Sequence, residues 1–108
     1  MSNEKINNSE KKCSLKDVLD IIGGKWAMPI IYHLSKGKMR FKELERSIEG
    51  INTRMLVKEL KNMELNGIIT REVFATVPPT VEYSLTYKGE KLLPSIASLH
   101  SWGQAFMD

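Results

Sequence analysis

The sequence predicts an α+β fold, mainly helical, with one two-stranded β-hairpin and a long helix at its end. Three observations lead there. Four segments between Ser14 and Asn66 carry apolar residues at helical spacing. The last two, residues 41–48 and 53–66, are joined by a short turn holding Gly50. Two β-rich runs, 68–74 and 81–85, then bracket a segment containing Pro78-Pro79. Helix, helix, helix, helix, hairpin is the order of a winged helix-turn-helix, whose second paired helix enters the DNA major groove.

Taken in order, residues 1–12 are rich in Asn, Ser, Lys and Glu, with Ile6 the one aliphatic residue after the initiator. They are expected to stay a flexible tail, leaving 13–108 as a single domain. Ser14 and Asp17 form a capping-box-like pair before a first helix with Leu15, Val18, Leu19 and Ile22 on one face. Gly23-Gly24 stops it. The second helix covers about 26–35, with Trp26, Ile30, Ile31 and Leu34 inward and Gly37 at its end. Pro29 is tolerated if Trp26 is the first helical residue, because first-turn N–H groups have no intrahelical partner.

After the third helix and the turn at Glu49-Gly50, Asn52 is expected to cap the fourth, which Gly67 closes. Strand 68–74 follows. Pro78-Pro79 disfavours helix and ladder alike. The returning strand 81–85 places Val81, Tyr83 and Leu85 on the buried face. Thr86 is expected to cap one long last helix, from 87 to about 106, kinked at Pro94 at a cost of up to ~3 kcal/mol. Its stripe of Leu92, Ile96, Leu99 and Phe106 exceeds what a small domain needs to cover, and Trp102 shares its apolar phase. That excess points to a partner, most simply a second copy of the chain.

The fourth helix carries the functional argument. At about 100° per residue, Leu56, Leu60 and Met63 fall within an arc of about 60°. Arg54, Lys58 and Lys61 occupy a similar arc centred about 160° away. One face is built for burial and the other to meet an anion, and the expected partner is double-stranded DNA. Thr53 and Val57 flank the basic face near the helix start, where base edges are reached, and Val57 suits a thymine methyl. Asn52 is expected first as the cap and is a candidate phosphate ligand second. Arg40 and Lys42, opening the preceding helix, are candidates to clamp phosphate. Arg71 at the wing base is a further candidate, though strand-end arginines also serve as ion-pair partners. The wing segment is Val77, Pro78, Pro79 and Thr80.

Composition narrows the alternatives. A chain of 108 residues, 42% hydrophobic and 27% charged, makes one modest soluble core. A net charge of +3 is too small to argue for nucleic acid, so charge placement carries that case. No apolar run approaches the ~20 residues that span a bilayer, and the N-terminus has no signal-peptide core, so no membrane association is expected. A single cysteine cannot form an intrachain disulfide, which fits a reducing cytoplasm. His33 and His100 stand apart from other ligand types, so no metal is expected. No glycine-rich phosphate loop or nucleophile motif is present, so neither a cofactor nor an enzyme is expected.

These residues resemble the HxlR-type winged helix-turn-helix transcriptional regulators, relatives of the MarR type. The resemblance is carried by Cys13, Ile22-Gly23-Gly24-Lys25-Trp26, Arg40-Phe41-Lys42-Glu43-Leu44 and Gly50-Ile51, with Leu56 and Leu60. It continues through Leu65-Asn66-Gly67-Ile68-Ile69, the run from Val77 to Thr86, Gly89 and Leu92-Leu93-Pro94. It implies a prokaryotic, cytoplasmic homodimer that binds operator DNA; two-fold symmetry then predicts a pseudo-palindromic operator, and repression is expected over activation, which the sequence leaves open. It further implies a dimer interface built from the first and last helices: Leu15 and Leu19 with Leu92, Ile96, Leu99, Trp102 and Phe106.

The chain departs from the family in two places. Thr80 stands where members often carry Arg or Lys, and Asn52 where they open the recognition helix with Ser or Thr. The resemblance also makes Cys13 a candidate oxidant sensor. Its place before a helix start, beside Lys11, Lys12 and Lys16, favours the thiolate. The competing reading makes Cys13 a small hydrophobe packed on Val18. Control by a small effector of unknown identity is the other expectation. A winged-helix module that binds protein without sequence-specific DNA contact is the alternative function. An enzyme using Cys13 with a histidine base is a poorer third, because nothing brings those residues together.

Overall fold

The computed structural model describes residues 14–107. Its elements are α1 (Leu15–Ile22), α2 (Ala27–Leu34), β1 (Met39–Arg40), α3 (Phe41–Ser47) and α4 (Thr53–Leu65), then β2 (Ile69–Phe74), β3 (Thr80–Leu85), α5 (Tyr87–Glu90) and α6 (Leu93–Phe106). The architecture is the expected winged helix-turn-helix, with a long C-terminal helix. The expected tail and Cys13 lie outside the described residues.

Helix starts follow local chemistry. Ser14 and Asp17 close a full capping box on α1. Trp26 is the residue before α2, one position later than expected. The first bond of that helix runs from the Ile30 N–H to the Trp26 carbonyl at 3.1 Å. Pro29 is therefore the last position from which no donor is required. The Asn52 side chain accepts from the Met55 N–H at 2.8 Å and caps α4. At the other end of α4, Gly67 takes φ +74°. Its N–H donates to the Glu64 carbonyl and that of Ile68 to Met63, which makes a Schellman stop. Lys88 Nζ adds a cation on the Asn66 carbonyl at 2.8 Å.

Two sequence expectations need correction. The sheet has three strands, in the order β1-β3-β2, all antiparallel. β1 adds Met39 and Arg40 opposite Tyr83 and Glu82. The last helix is also two helices, broken between Glu90 and Leu93. Pro94 consequently falls in the first turn of α6 and produces no interior kink. The first α6 bond runs from Ile96 N–H to the Leu92 carbonyl at 3.0 Å, two residues past the proline.

One core joins the helices to the sheet. Ile30, Ile31, Leu44, Leu56 and Met63 are wholly buried, with Leu60, Ile69 and Tyr83 beside them. Val81 and Leu85 pack on its edge, as the alternation of β3 predicts. Residues opposed across the ladders share a face, so Met39, Tyr83 and Arg71 form one row and Arg40, Glu82 and Glu72 the row on the other side. Among the described residues, no helix is long and apolar enough to cross a membrane.

Candidate nucleic-acid interface

α4 divides as its periodicity predicts. Leu56, Leu60 and Met63 are sealed in the core, while Arg54, Lys58 and Lys61 are exposed. Val57 lies at the boundary with 38% of its surface open. Among the described residues the ion pairs are those of Lys38 and Arg40 with Glu82, so the α4 cations have no carboxylate partner there. An unpaired, solvated cation keeps its full charge for an incoming anion.

The sheet and its wing close two clefts, one against α4 and one against α3. One, of about 330 Å³, lies between α4 and the sheet and is lined by Val57, Lys61, Glu64, Arg71 and Tyr83, among others. It brings Arg71 to the recognition helix, a juxtaposition that needs the β2–β3 register and cannot be read from spacing. The second, of about 430 Å³, lies between α3 and the wing tip and gathers Arg40, Lys42 and Arg46 against Pro79 and Thr80. Arg46 went unnoticed in the sequence because it reads as an ordinary solvated position. Val77 is fully exposed at the wing tip.

Two candidates carry structural duties. The Asn52 side-chain oxygen is engaged as the α4 cap. Thr53 Oγ1 donates to Glu45 Oε2, which ties the start of α4 to α3. Glu45 was missed in the sequence because the bond spans the helix-turn-helix turn.

The interface candidates separate as well. Leu15, Leu19, Leu99, Trp102 and Phe106 are half or more exposed. Trp102 and Phe106 stack at 5.5 Å between ring centroids. Ile96, by contrast, belongs to the chain's own core, and Leu92 packs on its edge, so these two have little surface to give a partner. Their helical phase was right, but phase does not distinguish an inner core from an outer contact. Between α2 and α6 a third cleft, of about 370 Å³, is lined by Met28, Pro29, Tyr32, His33, Leu99 and His100 with Ile96. Among the described residues no group of three metal-ligating side chains occurs.

Comparison with known proteins agrees with this geometry. A family model described as HxlR-like helix-turn-helix matches residues 21–108. The chain is 46% identical over 96 residues to the HTH-type transcriptional regulator YdeP of Bacillus subtilis strain 168, covering 89% of this chain and 75% of that protein. It is 42% identical to the HTH-type transcriptional regulator YybR of the same organism, covering 100% of this chain and 87% of YybR. Among solved structures, the redox regulator HypR in its oxidized form superposes with a TM-score of 0.84 at 44% identity, covering 89% of this chain and 99% of HypR.

Proposed function

The chain belongs to the HxlR-like helix-turn-helix family of transcriptional regulators, and from that premise we propose that it represses transcription by binding a pseudo-palindromic operator as a homodimer. The observation that carries this reading is the divided surface of α4, with its apolar face sealed and three cations left exposed. In this reading Arg54, Lys58 and Lys61, flanked by Thr53 and Val57, face the major groove. Arg40, Lys42, Asn52, Arg71 and the wing residues 77–80 set the register on the phosphates.

Leu15, Leu19, Leu99, Trp102 and Phe106 support a two-fold partner, since a monomer rarely exposes so much apolar surface on two helices. Two-fold symmetry calls for half-sites about one DNA turn apart, or a multiple of it. Release from DNA has two candidate inputs. One is Cys13. The relative HypR is a redox regulator, and two Cys13 thiols, one per subunit, would each lose a hydrogen to an oxidant such as diamide and join as a disulfide. The other is a small effector, for which the α2–α6 cleft offers room.

A gel-shift titration on the DNA upstream of the chain's own gene, at two salt concentrations and with or without diamide, tests the whole reading. Specific binding that weakens steeply with salt is expected. Arg54→Glu and Lys58→Glu should each cost more than ~1 kcal/mol of specific binding. Unchanged affinity in both variants would refute the assigned reading face. Failure to bind there and in a random-sequence selection would favour a protein-binding module. Loss of binding in diamide that Cys13→Ser abolishes would establish the thiol input, and insensitivity to diamide would leave the effector.

A further inference from the structure

We propose that the cleft between α3 and the wing seats one DNA phosphate, that Arg46 completes this seat, and that Glu82 holds Arg40 in the free protein as an internal stand-in for that phosphate. This rests on the DNA-binding reading above and deepens it, because it adds two residues with opposite effects on affinity.

The charges in the cleft are not explained by the fold's own needs. Lys42 and Arg46 lie four residues apart and so share a face of α3. Like charges at that spacing cost helix stability instead of adding to it. Neither pairs with a carboxylate among the described residues. Glu43 also lines the cleft, but its Oε1 accepts the Arg40 backbone N–H at 2.7 Å and is committed to starting the helix. Three cations thus converge on one concave site against a single lining carboxylate, Glu43, and cations remain in excess. Across the opening lie Pro79 and Thr80, which add no charge.

Arg40 differs from the other two. Its Nε stands 4.0 Å from Glu82 Oε2, while Lys38 Nζ stands 3.9 Å from Oε1 of the same carboxylate. These separations are longer than the ~2.7–2.9 Å of a charge-assisted hydrogen bond, so the pair is loose and exchangeable. Glu82 has only 23% of its side chain exposed, against 57% for Arg40. The carboxylate is therefore the more enclosed partner, and the guanidinium has the open space in which to turn toward another acceptor. On the far side of Glu82 the ladder places Glu72 directly opposite, a like-charge neighbour. An arriving phosphate offers the Arg40 fork a second acceptor at the mouth of the cleft, where Lys42 and Arg46 already face it. Glu82 must yield its cation for the seat to fill, which lowers affinity for every duplex equally.

The test measures binding of the full chain to its upstream fragment and to an unrelated duplex of the same length, across a salt series. Arg46→Gln should weaken both duplexes about three- to tenfold and flatten the salt dependence by roughly one phosphate per subunit. Glu82→Gln should tighten both about two- to fivefold, the scale of an exposed ion pair. In an Arg40→Gln background the gain from Glu82→Gln should vanish, which a general change in net charge would not produce. The proposal is overturned if Arg46→Gln binds like wild type, if Glu82→Gln weakens binding, or if its gain survives loss of Arg40. Wild-type protein that binds no duplex would sink the DNA reading itself. Normal wild-type binding with no response to these variants would sink this proposal alone.

Discussion

Gly89 offers the sharpest test of how the wing is joined to the C-terminal helices. It is buried in α5, and a Cβ built there would stand 2.2 Å from the Ile68 carbonyl oxygen and 3.2 Å from Leu85 Cδ2. The first separation is about 1 Å short of the ~3.3 Å at which carbon and carbonyl oxygen normally meet. The carbonyl has little freedom to retreat. It accepts the Thr86 N–H at 3.0 Å, and Thr86 Oγ1 lies 3.1 Å away while also accepting the Gly89 N–H. Overpacking of this kind costs ~1–3 kcal/mol, and weakening one of these bonds adds ~1 kcal/mol. Alanine returns up to ~1 kcal/mol through its helix propensity. Gly89→Ala should therefore lose about 1–3 kcal/mol, or roughly 4–20 °C in Tm for a domain of this size. Thermal and urea unfolding at matched protein concentration would measure it. A Tm within about 2 °C of wild type would refute the argument, since a shift that small corresponds to a loss below ~0.5 kcal/mol.

Other expectations follow from features already described. Asn52→Ala should cost ~1 kcal/mol of stability through loss of the α4 cap, with Asn52→Ser retaining most of it in urea titrations. Leu60→Ala should cost ~2–5 kcal/mol, because the side chain is 2% exposed and its removal leaves a cavity between α4 and the sheet. Trp102→Glu should convert the protein to monomer in sedimentation equilibrium and lower operator affinity by at least about tenfold, and a surviving dimer would exclude this face as the interface.

What the sequence disclosed and what it withheld divide along physical lines. The faces of α4 were legible because a 13-residue helix repeats its period several times, and the caps at Ser14, Asn52 and Thr86 because each acts within three residues. β1 was not legible, since two residues cannot display an alternation and its pairing depends on a strand more than forty positions away. The break before α6 was hidden by Leu92, whose apolar phase continues the stripe. Pro94 held the correct signal, and it marks a start and not a kink. Glu45 and Glu82 emerge only from tertiary neighbours: one bonds across the helix-turn-helix turn, the other across a ladder. The basic cleft of Arg40, Lys42 and Arg46 likewise needs the wing folded over α3.

Pro94 has a mechanical consequence as well. Fusing α5 and α6 into one rod would require a donor that Pro94 lacks and would press its ring on the Glu90 carbonyl, at ~3 kcal/mol or more. The junction keeps a helical backbone at Lys91 and Leu92 but lacks the Pro94-to-Glu90 bond, which leaves it softer than a continuous rod. In the proposed dimer, torque on α6 from a neighbouring subunit meets this softer junction on its way to β3. It reaches the reading head either through the short link at Lys91-Leu92 or sideways through α2, against which α6 packs. In the proposed repressor, α2 thus offers a signal a second route from α6 to the reading head, by shear between packed layers.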